Sequence, residues 1–365
     1  SKDCYESRDG LHWTPTKKNP TEAVEGAVID PDDADSSRRY KGLVATSGKR
    51  LVVVSPDGLE WRRLDVPPIP SGDESNLSYD SHSKTFIATV KHGGPYGRSV
   101  WLATSSDFQK WTTPELVFHA DAKDQELAKA VIERRLADKT FQPMRFVDPK
   151  VYNVQVYNMG VFRYEGLYVG LPAMFHSTGK VDNYPNTDGF HLVQLTCSRD
   201  LKNWQRLGNR EPFIGPSRLD SGAFDLTQIL PPSAPIIRGN ELWFYYTGLK
   251  YRATFNYEGK YPDGRAIVLP QFAGPSGAIC LAVLRRDGFV SLQAEATPGI
   301  VMTEAFLSQG GEWHVNAQVA QGGRLIVEVL DESGAVLAVS EPITGDHADW
   351  TIRWAKAPRQ GLSGR

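Results

Sequence analysis

One short pattern returns in register along this chain and limits what it can fold into: Ser-x-Asp, followed four residues after the Asp by Trp. It stands at Ser7-Arg8-Asp9 with Trp13, Ser55-Pro56-Asp57 with Trp61, Ser105-Ser106-Asp107 with Trp111, and Ser198-Arg199-Asp200 with Trp204. A fifth copy, Arg285-Arg286-Asp287-Gly288-Phe289, has lost the Trp. Short polar side chains hydrogen-bond backbone a few residues on, so each Asp begins a turn and each Trp resumes an extended strand. Upstream of the later copies lie the strand-like runs LVVVS, VWLATS, LVQLTCS and ICLAVL. Successive copies are about fifty residues apart, then about ninety where insertions intervene, which is the period of a four-stranded propeller blade.

The remaining strands fall into place around these hairpins. GAVID, YKGLVATS and RLVVVSPDGLEW make one unit, and NLSYD, TFIATVKH and SVWLATSSDFQKW the next. In the following unit YNMGVFRYEGLYVGLPAMF reads as two strands joined by a tight Glu165-Gly166 turn, with FHLVQLTCSRDLKNW completing it. FDLTQIL, ELWFYYTGL and AICLAVLRRDGF form the last. Asp121 to Lys139 breaks the pattern: with Asp121 as N-cap and Leu127, Ala128, Val131 and Ile132 on one side, it predicts an inserted amphipathic helix. After Leu292 the composition changes, and WHVNAQVA, RLIVEVLD, AVLAVSEPI and ADWTIRWA alternate like the strands of a β-sandwich. The expectation is an all-β chain: a five-bladed β-propeller over residues 1–292, then a small β-sandwich over 293–365. Ser1 falls inside a repeat and residues 361–365 stop where another strand is due, so the first blade and the last sandwich strand are expected to be incomplete.

Composition removes several classes of function. The formal net charge is −2 and the basic residues are scattered, which is no footprint for nucleic acid. No apolar run approaches the ~20 residues of a membrane span. Cys4, Cys197 and Cys280 have no metal-ligand spacing, and no metal or cofactor is expected. There is no Gly-rich phosphate loop and no Gly-x-Ser-x-Gly elbow. Arg38, Arg39 and Lys41 read as a solvated edge. Nine Trp and fourteen Tyr supply flat faces on which sugar rings stack, so a carbohydrate is the expected partner. Oligomeric state cannot be read.

The blade order, the Ser-x-Asp hairpins, the RYKGL and YEGLY strands and the trailing sandwich-like segment resemble the glycoside hydrolase family 32-like proteins, within the wider five-bladed group that includes families 43 and 68. The resemblance implies a funnel on the propeller axis, lined by the first strand of each blade, with carboxylates from different blades. It also implies a secreted or periplasmic glycoside hydrolase acting on a plant or algal oligo- or polysaccharide. The family's Trp-x-Asn-Asp-Pro, Arg-Asp-Pro and Glu-Cys segments are absent, and Asp30-Pro31 and Asp148-Pro149 lack the preceding Arg, so no family triad is transferred.

Glycoside hydrolysis commonly needs two carboxyl groups, one protonated and one ionised. By position, three acids are candidates: Asp225 among apolar neighbours in GAFDLTQIL, Asp73 before NLSYD, and Asp30 at the end of GAVID. Each has a structural alternative, as a turn former or a buried hydrogen-bond acceptor. Tyr157 and Asn158 offer a ring face and an amide to sugar hydroxyls, and His176 a hydrogen bond or a proton. Glu165 and Glu241 belong to tight turns. The alternative function is a non-catalytic glycan-binding propeller whose acids only hydrogen-bond sugar hydroxyls.

Overall fold

The computed structural model describes residues 4–180, 186–252, 276–308 and 310–356. It divides into two compact units: Ser1–Pro235 with Phe244–Ala282, and Ile236–Trp243 with Val283–Arg365. Antiparallel sheet dominates. The expected first residue, Ser1, and the expected break at residues 361–365 lie outside the described residues.

A hairpin of β1 (Tyr5–Glu6) and β2 (Thr14–Pro15) comes first. A sheet of order β3-β4-β5-β6 follows, built from Val24–Ile29, Tyr40–Thr46, Lys49–Ser55 and Arg62–Arg63, with β7 (Ile69–Pro70) also on β5. Next is a four-stranded meander of β8 (Ser75–Asp80), β9 (Thr85–Gly94), β10 (Gly97–Ser105) and β11 (Glu115–Phe118). The third large sheet joins β12 (Asn153–Tyr164) to β13 (Leu167–Lys180) through Glu165 and Gly166, both at positive φ (43° and 85°), as a two-residue hairpin turn requires. The segment expected to complete it as one strand is split. β14 (Thr187–Val193) pairs with one end of β13, whereas β15 (Thr196–Ser198) pairs with the other and carries β16 (Trp204–Arg206). The break falls where Gln194 donates its backbone N–H to Pro172 and Val193 bridges to Ile214. A fourth sheet contains β17 (Gln228–Leu230), β18 (Ile236–Arg238), β19 (Glu241–Leu249) and β20 (Gly277–Arg285). In the second unit β21 (His314–Val319) pairs with β24 (Gly345–Thr351), and a separate sheet has the order β22-β23-β25, from Glu328–Leu330, Val336–Ser340 and Trp354–Lys356.

The four repeated hairpins share one hydrogen-bond geometry. Ser7, Ser55, Ser105 and Ser198 each donate Oγ–H to the Asp two residues on, at 3.0, 3.0, 3.1 and 2.9 Å. In every copy that Asp Oδ1 accepts the backbone N–H groups two and three residues further along. This forces the residue after the Asp into the left-handed region, with φ of 78° at Gly10, 79° at Gly58, 59° at Phe108 and 67° at Leu201. Glycine tolerates that conformation freely. Phe108 and Leu201 are held there by burial, being 0% and 7% exposed. Trp13, Trp61 and Trp204 return their indole N–H to the carbonyl three residues back, whereas Trp111 packs edge-on to Phe108. The fifth copy lacks the Ser and closes differently: Asp287 itself takes φ 59°, and Gly288 donates to Arg285.

Apolar side chains of β4, β5, β8, β9 and β10 form one core, including Leu43, Val52, Leu77 and Phe86. Those of β10, β12 and β13 form another, including Val100, Val156, Val161 and Met174. Helix α1 (Ala122–Ala137) is the expected insertion, with Asp121 as N-cap in a reciprocal capping box with Asp124. It buries Ala128 and Ile132, the latter against Met144 and Phe190, while Leu127 and Val131 are only half-buried.

Because Ser198 is 3% exposed, Ser198→Ala strands polar groups of its hairpin and lowers stability by about 1 kcal/mol. Ser7→Ala, in a half-exposed copy where water substitutes, costs much less. Urea unfolding midpoints check this, and equal losses would contradict it.

Candidate functional site

Two strands fix the ends of the site. Glu25, near the start of β3, accepts from the backbone N–H (3.1 Å) and hydroxyl (2.8 Å) of Ser75 at the start of β8. At their far ends Tyr79 hydrogen-bonds Asp30, so β3 and β8 run side by side in the same direction. The middle of β12 joins them: Asn158 donates to Asn76 at 3.3 Å, while toward the end of the strand Arg163 lies 3.6 Å from Asp80. Asp73, just before β8, therefore lies at the gathered strand starts, and Asp30 at the opposite ends.

At the strand starts the chain surrounds one ammonium group. Lys91, on β9 and 6% exposed, places Nζ 2.6 Å from the Asp73 carboxylate and against Glu74, 3.6 Å from the centre of the Tyr157 ring. Burial pushes Lys91 down to about 8, against the pull of Asp73, and Arg98 and Arg252 push the same way. Burial acts to raise Asp73, but the charge and hydrogen bond of Lys91, with its own backbone N–H and the charge of Arg98 adding, together keep the carboxyl below its usual range. Arg98 donates from its backbone N–H (3.2 Å) and guanidinium (2.9 Å) to Gln155, and also to Asn186. The Arg252 guanidinium lies 4.0 Å from the Phe175 ring and 5.3 Å from that of Tyr157. A concavity of about 420 Å³ opens here, lined by Gly48, Ser71, Gly72, Lys91, His92, Gly93 and Arg98. Its rim is fastened by Arg50, fully buried, which ion-pairs with Glu25 at 2.6 Å and donates to Ser75 and to the Gly72 carbonyl.

Tyr157 and Asn158 sit where the β12–β13 register shifts, a bulge that re-aims side chains out of simple alternation. Both are 8% exposed, and Tyr157 packs 4.6 Å from His191. His191 donates Nδ1–H to Ile229 in the neutral tautomer, leaving Nε2 with no hydrogen-bond partner among the described residues. Burial, with Arg252 adding, holds its pKa well below the ordinary value.

The other expected residues lie in different surroundings. Asp225 is 3% exposed, and its carboxylate accepts from Tyr246 at 2.7 Å. Asp30, also buried, pairs with Lys41 at 2.9 Å. Lys41 is 1% exposed and also pairs with Asp33, so it is a buried ion-pair residue and not part of a solvated edge. Asp30, Asp73 and Asp225 share no partner in these contacts. His176 is buried, stacked on Phe190 (centroids 5.1 Å, planes at 7°), with Nδ1 3.1 Å from the Met174 carbonyl. Among the described residues no group of three or more His, Cys, Asp or Glu is placed to hold a metal ion. No helix among them is long and apolar enough to cross a membrane.

Sequence reasoning missed Glu25, Glu74, Lys91, Arg98, Arg252 and His191. Only Lys91 carried a local signal: it extends the apolar run TFIATV, where an unpaired ammonium is costly.

No protein-family model matches this chain, and no curated protein matches it. Among solved structures it is similar to an N-acetylgalactosamine deacetylase from F. plautii in complex with blood group B trisaccharide (15% identity, 78% of this chain and 81% of that one, TM-score 0.46). It is also similar to an endo-1,4-beta-xylanase from Bacteroides thetaiotaomicron (12%, 78% and 87%, TM-score 0.42) and to a GH32 beta-fructofuranosidase from Bombyx mori (14%, 67% and 47%, TM-score 0.35).

Burial lowers His176 from 6.5 to about 4, so the folded protein binds this proton less readily than the unfolded chain. Its contribution to stability is complete above pH 6.5 and is lost as the pH falls toward 4. Unfolding midpoints measured from pH 7 to 4 should fall, and fall less steeply in His176→Met. Identical slopes would contradict the assignment.

Proposed function

We propose that this chain is a secreted or periplasmic carbohydrate-active protein: a five-bladed β-propeller over residues 1–292 followed by a β-sandwich over 293–365. In this reading it cleaves a glycosidic bond in a plant or algal oligo- or polysaccharide within the concavity at the strand starts. The observation that carries the reading is the roughly 420 Å³ recess, in the size range of small-molecule sites, lined by Lys91, whose ammonium is ion-paired with the Asp73 carboxylate. In this reading Tyr157 and Asn158 offer a ring face and an amide to sugar hydroxyls, and His176 serves as a neutral hydrogen-bonding ring.

Asp73, held ionised by Lys91, is suited to the nucleophile or base and not to the proton donor. Asp225 and Asp30 are the other carboxylates of the reading. Neither shares a contact with Asp73, which favours the second reading, a glycan-binding module without turnover, in which the acids only hydrogen-bond sugar hydroxyls.

The test is hydrolysis of an oligosaccharide panel, followed by reducing-end release, together with direct binding. Turnover that falls by at least about a hundredfold in Asp73→Asn, with the glycan still bound, supports catalysis. Asp225→Asn and Asp30→Asn in the same assay decide whether either takes part. Binding without turnover in the parent chain supports the second reading, and neither binding nor turnover on any glycan rejects both.

A further inference from the structure

We infer that Arg50 and Glu25 are positioning residues for Asp73: together they hold the backbone on both sides of it, so that its carboxylate meets Lys91. The inference rests on the reading of Asp73 as the reacting carboxylate and names the groups that place it.

Asp73 does not fix its own position. Its side chain is 62% exposed and keeps rotamer freedom, so where the carboxylate sits depends on how the backbone from Gly72 to Ser75 runs. Three strands hold that backbone. Ahead of Asp73, Gly72 donates its N–H to the Lys91 carbonyl of β9 at 2.7 Å, and its own carbonyl accepts from Arg50 Nη1 of β5 at 3.0 Å. Beyond it, Ser75 gives its N–H and hydroxyl to Glu25 of β3 at 3.1 and 2.8 Å, and Arg50 Nε donates to that same hydroxyl at 2.9 Å. The 2.6 Å ion pair between Arg50 and Glu25 closes the bracket. One buried arginine thus reaches the residue before Asp73 and the residue two after it. Asp73 and Glu74 project between these fixed points, and both carboxylates fall on Lys91.

Two features mark the bracket as more than an ion pair between strands. Glu25 stands where the β3–β4 register shifts, and a bulge re-aims a side chain out of simple alternation. Arg50 is fully buried, yet its Nη2 has no hydrogen-bond partner among the described residues. Leaving a buried donor unsatisfied is costly, and an apolar side chain would join the strands without that cost. The arginine is explained by its other donors, which grip Gly72 and Ser75. Misplacing a reacting group by about 1 Å can cost about a hundredfold in rate, so a grip on both flanks of Asp73 is a catalytic matter.

The test follows Asp73 in the full chain, both directly and through turnover. By NMR at ¹³Cγ the parent carboxyl should titrate below the usual carboxylate range: burial acts to raise it, and Lys91, foremost among its partners, holds it down. In Arg50→Met the midpoint should rise toward 3.8, while that of Asp80, at the far end of β8, stays in place. Glu25→Gln, which keeps the side-chain shape and loosens the hold on Arg50, is the second variant should Arg50→Met not fold. On a glycan that the parent cleaves, kcat should fall about tenfold or more with KM within about twofold. The same substitution added to Asp73→Asn should cost little further, because its effect runs through Asp73. An unmoved Asp73 midpoint in the folded variant, or a kcat loss undiminished in the Asp73→Asn background, would overturn the inference and leave the reading of Asp73 standing. Absence of turnover on every glycan would instead remove the catalytic reading of Asp73; a shifted midpoint would still support its placement by Arg50, and an unshifted one would overturn both.

Discussion

An ammonium group removed from water must be surrounded by charge and polarizable electrons, and that requirement at Lys91 organises the strand starts. Desolvating such an ion costs several kcal/mol, and removing one partner of a buried pair strands the other. Lys91 meets the cost with Asp73 and Glu74 on one side and the face of Tyr157 on the other. Those partners belong to the approach to β8 and to the bulge of β12, so satisfying one charge ties β9 to two other segments. Arg50 does the same nearby, joining Glu25 of β3 to Ser75 and the Gly72 carbonyl. The recess is the space these two buried cations leave between the segments they fasten.

The repeated hairpins solve a separate problem, namely turning each sheet tightly without tertiary help. A single Asp oxygen accepts two backbone N–H groups, and the Ser hydroxyl fixes that Asp. The cost is one left-handed residue per turn. Where glycine does not occupy it, a buried side chain offsets the strain, as at Phe108 and Leu201. The Ser-x-Asp pattern is therefore a statement about turns, and two of the four copies abandon glycine because packing allows it.

This explains what the sequence made legible. Turn chemistry is local, so the hairpins, the Glu165-Gly166 turn and the capped helix at Asp121 could be read from a few adjacent residues. The split between β14 and β15 could not, because it depends on the backbone bond from Gln194 to Pro172 and the Val193–Ile214 bridge, far apart in the chain. The site follows the same rule. Asp73, Tyr157 and Asn158 were singled out by position within a repeat, and Asp73 and Tyr157 lie against Lys91. Arg98, Arg252 and Glu25 look like ordinary strand-end charges, and their convergence is purely tertiary. Asp225 and Asp30 drew notice as acids in apolar or strand-end settings; their nearest partners are a tyrosine hydroxyl and a buried lysine.

The central claim is that Lys91 is a buried cation held in a shared electrostatic cluster. Its side-chain ammonium can be followed by NMR through the ¹³Cε shift as a function of pH. The account predicts a titration midpoint near 8, displaced far from the ordinary 10.5 by burial and by Arg98 and Arg252. A midpoint at 10.5 would place Lys91 in open solvent and contradict both the cluster and the recess built around it.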